Sequence, residues 1–135
     1  RMKKKVTAVF DIGKTNKKFF LFDEDYQEIY REYTRFEPIE DEDGHPTEDL
    51  HSLQIWLKEV FDRILNAKEH NITAINFSTY GASFVHLDEN GKVLTPLYNY
   101  TKPMDEKVLN DFYEKYGPKN EFVKATGFHY ICPNT

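Results

Sequence analysis

One long amphipathic pattern between two short apolar runs restricts the fold of this chain more than any other feature. Apolar side chains repeat at helical spacing through the middle of the chain, at Leu50, Leu53, Leu57, Val60, Phe61 and Ile64. This spacing predicts a helix over Glu48–Lys68. Val6–Ile12 before it and Ile72–Ser78 after it are short apolar runs that favour buried strands. A strand that is entered from such a helix pairs in parallel with an earlier strand, so the pattern indicates an α/β fold.

The ends of the predicted helix follow from residue chemistry. Thr47 is a suitable N-cap, and Glu48 and Asp49 suit the positive end of the helix dipole. Asn71 is the expected stop. The segment before the helix, Glu37–Asp49, carries seven acidic residues together with two prolines and a glycine. We expect a solvated loop there, because the segment lacks the glycine and glutamate pattern of a calcium loop.

Two further runs precede the helix and complete the expected sheet. Lys17–Asp23 is apolar and aromatic, and Gln27–Phe36 alternates between polar and apolar residues. With the first strand they are expected to form an antiparallel meander. The resulting order, βββαβ, is the layout of one half of a ribonuclease-H-like α/β domain with a mixed sheet.

The second half of the chain carries one turn signal and two shorter helical patterns. An Asn-Gly pair at residues 90–91 favours a hairpin turn. Met104–Tyr116 and Glu121–Thr126 are predicted helices, and each is followed by a glycine that can end it.

Composition excludes several classes of protein. The chain has 135 residues with 39% hydrophobic and 16% aromatic content, so we expect one ordered domain at most rather than a disordered chain. It contains no apolar run of the roughly 18 residues that a membrane span needs, and we expect no signal peptide. The net charge of −5 argues against a general nucleic-acid binder. The single cysteine, Cys132, excludes an internal disulfide and suits a cytoplasmic location.

The two ends of the sequence indicate a piece of a longer protein. Arg1 precedes Met2, which indicates the remnant of an expression tag. The chain stops at Thr135, directly after an aromatic-rich stretch and without a polar tail. We therefore expect residues 1–135 to be an incomplete first domain.

The segment DIGKTNKK at residues 11–18 is the most informative for chemistry. Its Gly-Lys-Thr suggests a P-loop, but a P-loop needs a glycine where Ala8 stands. A P-loop also opens a helix, whereas the aromatic residues that follow this segment are typical of a strand. We therefore predict a tight turn between two antiparallel strands.

Such a turn can bind a phosphate group. Gly13 lets the backbone approach an anion closely, and successive turn amides can form an anion-binding concavity. Thr15 and Asn16 add side-chain donors, and Lys18 adds positive charge. Asp11, at the end of a buried strand, is placed to hold Mg²⁺ directly or through water. The alternative is an ordinary hairpin with a solvated tip, but an acidic residue inside an apolar strand is costly without a role, which favours the phosphate interpretation.

Four segments, in order along the chain, resemble landmarks of the FGGY carbohydrate kinase family of the sugar-kinase/actin/Hsp70 superfamily. Val9–Lys18 resembles the first phosphate motif, and Ile75–Gly91 resembles the strand, turn and LLD-x-x-G that follow. Pro96–Pro103 is similar to the P-x-x-x-W segment, and Ala125–Gly127 to the x-T-G of the family. The Thr-aromatic-Gly of the second segment is most similar to the L-fuculokinase and L-rhamnulokinase branch.

The resemblance implies a two-domain enzyme that transfers the γ-phosphoryl group of MgATP to a sugar hydroxyl, on a deoxyketose or another ketose or polyol. The family's catalytic aspartate then lies downstream, so this piece alone is expected to be inactive. ATP and Mg²⁺ are the implied cofactors, with Asp11 at the metal. The implied phosphate-binding residues are Gly13, Lys14, Thr15, Asn16 and Lys18, where Lys18 stands in place of the usual arginine.

The same resemblance implies where the sugar binds. The residues that face the sugar would be Thr79, Tyr80, Gly81, Ala82 and Ser83. Tyr100 stands at the usual tryptophan and would offer an apolar face to the sugar ring. Ser83 stands where deoxysugar kinases commonly have aspartate, and this departure leaves the sugar open. The expected partner is a small-molecule sugar rather than nucleic acid or membrane, and apolar surface on an excised half-cleft leaves homo-oligomers open.

Two other functions share parts of this pattern. A ribonuclease-H-like nuclease has the same element order, but it needs several carboxylates around two metal ions. A non-catalytic sugar- or nucleotide-sensing module would use a degenerate kinase half. A second domain with a catalytic aspartate beyond residue 135 would favour the kinase, and a stop codon there would favour the sensor.

Overall fold

A mixed four-stranded sheet with one helix packed on it forms the centre of the computed structural model, which describes residues 2–127. The predictions for Arg1 and Cys132 therefore lie outside the described residues. The elements in chain order are β1 Lys4–Ile12, β2 Lys17–Phe22, β3 Glu28–Thr34, β4 Ile39–Glu40, β5 Pro46–Thr47, α1 Leu50–Leu65, β6 His70–Thr79, α2 Glu106–Tyr116 and α3 Lys119–Thr126.

The sheet has the order β3-β2-β1-β6. Strands β1, β2 and β3 form an antiparallel meander, and β6 runs parallel to β1 after the crossover through α1. The predicted βββαβ order and the parallel pairing are both confirmed. The carboxyl ends of β1 and β6 consequently meet at one end of the sheet, where Ile12 pairs with Thr79.

The core lies between the sheet and α1. Alternate residues of β1 and β2 point to this face and are buried, namely Val6, Ala8, Phe10, Phe19 and Leu21. Val60 and Ile64 of α1 close the cluster, and Trp56, Leu57 and Phe61 pack against it as partly buried neighbours. The helix therefore presents to the sheet the apolar face that its periodicity predicts.

The start of α1 differs from the prediction. Asp49, rather than Thr47, is the N-cap, because its carboxylate accepts hydrogen bonds from the Ser52 amide at 3.0 Å and the Ser52 hydroxyl at 2.7 Å. Thr47 is buried in β5, and its hydroxyl donates to the carbonyl of Leu97. Since the helix begins at Leu50, Glu48 and Asp49 precede it rather than occupying its first turn.

The end of α1 was also predicted too late. The C-cap is Asn66, whose side-chain amide donates to the Asp62 carbonyl at 2.7 Å and ends the helix there. Asn71, the expected stop, lies in β6 and pairs with Lys5 of β1. Pairing with β1 thus starts the strand earlier than the apolar run alone indicates.

The Asp49 cap gives a pH-dependent prediction. Hydrogen bonds from Ser52 hold the pKa of Asp49 below its ordinary value of 3.8. This stabilisation is present above that ordinary pKa and is lost as the pH falls through the lowered pKa of the folded state. We expect Asp49→Ala to reduce the free energy of unfolding by about 1 kcal/mol at pH 7 and by less near pH 2 to 3. Urea unfolding of parent and variant chains at both pH values measures the difference.

The control for this prediction is Asp62→Ala on the same helix. Asp62 forms an exposed ion pair with Lys58, and such pairs contribute at most about 0.5 kcal/mol. If Asp49→Ala is no more destabilising than Asp62→Ala at pH 7, Asp49 does not act as the cap.

The acidic segment before α1 is more ordered than predicted. Ile39 pairs with Thr47, so the segment folds into the small β4–β5 hairpin. Asp41 is only 8% exposed, and its Oδ1 accepts hydrogen bonds from the amides of Asp43 and His45, both at 2.9 Å. The expectation of a solvated loop is therefore wrong for Asp41 and Thr47, because backbone amides and a distant carbonyl pair with their side chains.

The described residues divide into two compact units between Asn99 and Tyr100. In the first unit, the predicted Asn-Gly turn is confirmed, with the Asp88 amide donating to the Lys92 carbonyl at 2.9 Å. In the second unit, α2 and α3 end at glycines, as predicted, and the rings of Phe112 and Phe122 pack 5.5 Å apart. Neither these helices nor α1 is long and apolar enough to cross a membrane.

Candidate functional site

The turn between β1 and β2 is closed by its own backbone. The Gly13 amide donates to the Asn16 carbonyl at 2.9 Å, and β2 begins at the next residue. The prediction of a tight turn rather than a P-loop is confirmed, because the chain leaves the turn as a strand. A Cβ on Gly13 would lie 2.8 Å from the Asn16 carbonyl oxygen, so this close approach of two backbone segments requires glycine.

Some hydrogen-bond donors of the turn have no partner among the described residues. Within residues 2–127, neither the amide nor the hydroxyl of Thr15 has a hydrogen-bond partner, and the same holds for the side chain of Asn16. Unengaged donors on consecutive residues of a turn are suited to an anion that carries several oxygens.

Asp11 lies beside this turn on the sheet face opposite α1. It pairs across the strands with Lys18, and Lys18 Nζ lies 4.0 Å from Asp11 Oδ2. Both side chains are about 40% exposed, so the ion pair is weak and leaves the carboxylate accessible. Residues 2–127 contain no group of three or more His, Cys, Asp or Glu arranged to hold a metal ion. A single accessible carboxylate fits Mg²⁺, which binds through one or two carboxylates and completes its shell with water and phosphate oxygens.

Lys17 is a residue of this site that the sequence analysis missed. Its side chain is only 1% exposed, and Nζ donates to the Lys14 carbonyl at 2.7 Å and to Glu48 Oε2 at 2.9 Å. The alternation of β2 carried the signal, because Lys17 shares the inward face with Phe19 and Leu21. The ammonium therefore joins the turn to the segment that precedes α1.

The predicted sugar-facing segment starts at the same end of the sheet as the turn. Thr79 is the last residue of β6, and the Tyr80 amide donates to the Ile12 carbonyl at 3.4 Å. Ala82 has a φ of 59°, a backbone conformation that residues other than glycine rarely adopt. The Ser83 hydroxyl is buried and has no hydrogen-bond partner within the described residues.

The structure thus brings the start of this segment next to Asp11 and the turn. Tyr100 belongs to the second compact unit, so its place at the sugar stays a prediction.

A cavity of about 320 Å³ lies against the turn. Its wall includes Lys14 and Thr15 of the turn together with Arg35, Thr47, Glu48 and Asn99. The volume is at the lower limit of small-molecule sites, which span roughly 300–1,000 Å³. The sequence patterns did not place Arg35, Thr47, Glu48 or Asn99 at a binding site, because the segments that bring them together are far apart in the chain.

The sheet order, the single crossover helix and the glycine turn define a partial N-terminal domain of the actin-like ATPase fold. The profile of the FGGY family of carbohydrate kinases, N-terminal domain, matches residues 6–134. The chain belongs to this family, as the resemblance of its four segments implied.

Several relatives agree with this assignment. A rhamnulokinase of Mannheimia succiniciproducens is 28% identical over 109 residues, which are 81% of this chain and 22% of that protein. The crystal structure of a carbohydrate kinase from Novosphingobium aromaticivorans is 28% identical, with a TM-score of 0.69 over 87% of this chain and 24% of its own.

A Plasmodium falciparum glycerol kinase structure with ADP shares the fold at 18% identity, with a TM-score of 0.73 over 96% of this chain and 27% of its own. The chain therefore spans about a quarter of the length of these relatives.

Proposed function

We propose that residues 1–135 are the N-terminal portion of the first domain of an ATP-dependent carbohydrate kinase. The whole protein would transfer the γ-phosphoryl group of MgATP to a hydroxyl of a sugar. The observation that carries this proposal is that the candidate phosphate-binding residues and the candidate sugar-binding segment lie at the same end of the sheet. An accessible Asp11 and a glycine turn with unengaged donors lie next to the start of the segment Thr79–Ser83. Family membership supports the same reading.

The turn would act on the phosphates by position and charge. Phosphoryl transfer depends mainly on alignment of the reacting groups and neutralisation of the developing charge. The Thr15 amide and the side chains of Thr15 and Asn16 would hold phosphate oxygens at the turn that Gly13 closes, and Lys14 and Lys18 would add positive charge. Asp11 would hold Mg²⁺ directly or through water. Bound MgATP supplies the phosphoryl group that is transferred, and the chain itself forms no covalent bond.

The acceptor would lie against Thr79, Tyr80, Gly81, Ala82 and Ser83, while the apolar face that the family resemblance implies for Tyr100 stays a separate prediction. The buried Ser83 hydroxyl, which lacks a partner among residues 2–127, is suited to a hydroxyl of the sugar. The rhamnulokinase relative favours a deoxyketose among the ketoses, aldoses and polyols. The cytoplasmic location inferred from the single cysteine stays a prediction.

Coupled ATP-consumption assays of the full-length protein over ketoses, aldoses and polyols test this function. We expect one deoxyketose or related sugar to raise ATP consumption well above the sugar-free rate, and we expect residues 1–135 alone to show none. If the full-length protein binds MgATP and sugars but no sugar raises consumption, the sensing module replaces the kinase as its function. Cleavage of nucleic acid with no response to sugars would instead support the nuclease.

A further inference from the structure

Lys17 is a buried charged group that the proposed chemistry does not use. It stands between two residues assigned to the phosphates, Asn16 and Lys18, but its side chain points to the opposite face from Lys18. A lysine ammonium is costly to bury unless charged or polar groups satisfy it. Here the Glu48 carboxylate and the Lys14 carbonyl both accept from it.

The hydrogen bond to Lys14 fixes the orientation of one peptide group in the turn. The Lys14 carbonyl and the Thr15 amide belong to the same planar unit, and the described residues contain no cis peptide bond. In a trans peptide the C=O and the N–H point in opposite directions. Because the Lys14 carbonyl points to Lys17 Nζ, the Thr15 N–H points away from Lys17 and Glu48. That amide has no partner within residues 2–127.

Glu48 holds the ammonium in place from a second segment. Its side chain is 12% exposed, so the ion pair is shielded from solvent. The backbone of Glu48 also pairs with Leu97. Glu48, which anchors Lys17, is therefore held by its backbone pairing with Leu97 as well as by the ion pair. This limits the freedom of the ammonium to leave the Lys14 carbonyl.

We propose that Lys17, anchored by Glu48, is a positioning residue that presents the Thr15 amide to a terminal phosphate of the nucleotide. This inference rests on the proposed function and deepens it, because it names a residue that acts on the phosphates without touching them. Loss of the ammonium removes its hydrogen bond to the Lys14 carbonyl and so loosens the orientation of the Lys14–Thr15 peptide. The turn then holds the phosphate less well, while the sugar segment is unaffected.

The test compares nucleotide binding with sugar binding in the full-length protein. Lys17→Met keeps a side chain of similar length but removes the charge, and we expect it to raise the KM for MgATP about tenfold, the size of one lost hydrogen bond to a charged group. The KM for the sugar should change less than twofold. The matched control is Lys58→Met, which removes a lysine from the exposed pair with Asp62 and should leave both KM values unchanged.

A second variant separates positioning from simple stability. Lys17→Met leaves the Glu48 carboxylate buried without its partner and is expected to lower the Tm, or to prevent folding altogether. The double variant Lys17→Met/Glu48→Met removes that unpaired charge and should recover the Tm. We expect the KM for MgATP of the double variant to remain about tenfold raised, because the hydrogen bond from the Lys17 ammonium to the Lys14 carbonyl is still absent.

Two results would overturn the inference. One is a folded Lys17→Met protein with a KM for MgATP within twofold of the parent, and the other is a double variant that recovers Tm and KM together. Calorimetric titration of the parent with MgATP separates this failure from that of the proposed function. A parent that binds no MgATP overturns both proposals, whereas a parent that binds and turns over while its Lys17 variants behave normally overturns this one alone.

Discussion

Replacing Asp11 with asparagine in the full-length protein is expected to lower kcat for sugar-dependent ATP consumption by about a hundredfold to a thousandfold. Asparagine keeps the shape of the side chain but removes the negative charge that would hold Mg²⁺ beside the phosphates. Loss of one electrostatic contact in a transition state commonly costs a factor of this size. The fold should be preserved, because Asp11 is about 40% exposed and its only described ion pair, with Lys18, is long. Steady-state kinetics at saturating MgATP measure the change.

The control for this variant is Asp25→Asn. Asp25 is an exposed acid in the turn between β2 and β3, away from the end of the sheet where Ile12 and Thr79 pair. The Asp25→Asn substitution removes the same negative charge as Asp11→Asn and should leave kcat unchanged. A kcat for Asp11→Asn within threefold of the parent would remove Asp11 from the proposed metal site.

Substituting alanine for Gly13 is expected to weaken MgATP binding by about a hundredfold and to lower the free energy of unfolding by about 1–3 kcal/mol. The added Cβ would lie 2.8 Å from the Asn16 carbonyl oxygen, which is backbone and cannot swing aside. The turn must open to relieve the overlap, and overpacking of this kind costs about 1–3 kcal/mol. Opening breaks the Gly13–Asn16 hydrogen bond and displaces the amides that would bind phosphate. Calorimetric titration and urea unfolding measure the two effects.

Gly81→Ala is the matched control for the effect on stability. A Cβ on Gly81 meets nothing within 4 Å, and its φ is not positive, so the unfolding free energy should not fall. Parent-like MgATP affinity in Gly13→Ala would show that the geometry of this turn does not matter for the nucleotide.

The sheet and α1 could be predicted because their apolar residues repeat with the period of a strand or of a helix. Phe10, Phe19 and Val60 are buried where the alternation of strands and the period of the helix place them. The parallel pairing of β1 with β6 followed from the crossover helix between them. The glycine turn followed from local residue chemistry, since the strand-like residues after it excluded a helix.

What failed depended on contacts between distant parts of the chain. Thr47 and Asp49 are both residues that commonly cap helices. Thr47 does not cap α1, because its hydroxyl donates to the carbonyl of Leu97, fifty residues away. Lys17 was predicted at the start of the second strand but given no role at the site, although its place in the alternation of β2 turns it inward. Its partner Glu48 lies 31 residues further on, and no local pattern joins the two.

The central claim is that the turn between β1 and β2 holds the phosphates of a magnesium-bound nucleotide. A crystal structure of the full-length protein with a non-hydrolysable MgATP analogue measures this directly. The account predicts phosphate oxygens within about 3.2 Å of the Thr15 amide and its neighbours in the turn, with Mg²⁺ bound by Asp11 directly or through one water. Nucleotide phosphates bound elsewhere, with the turn in contact only with solvent, would contradict it.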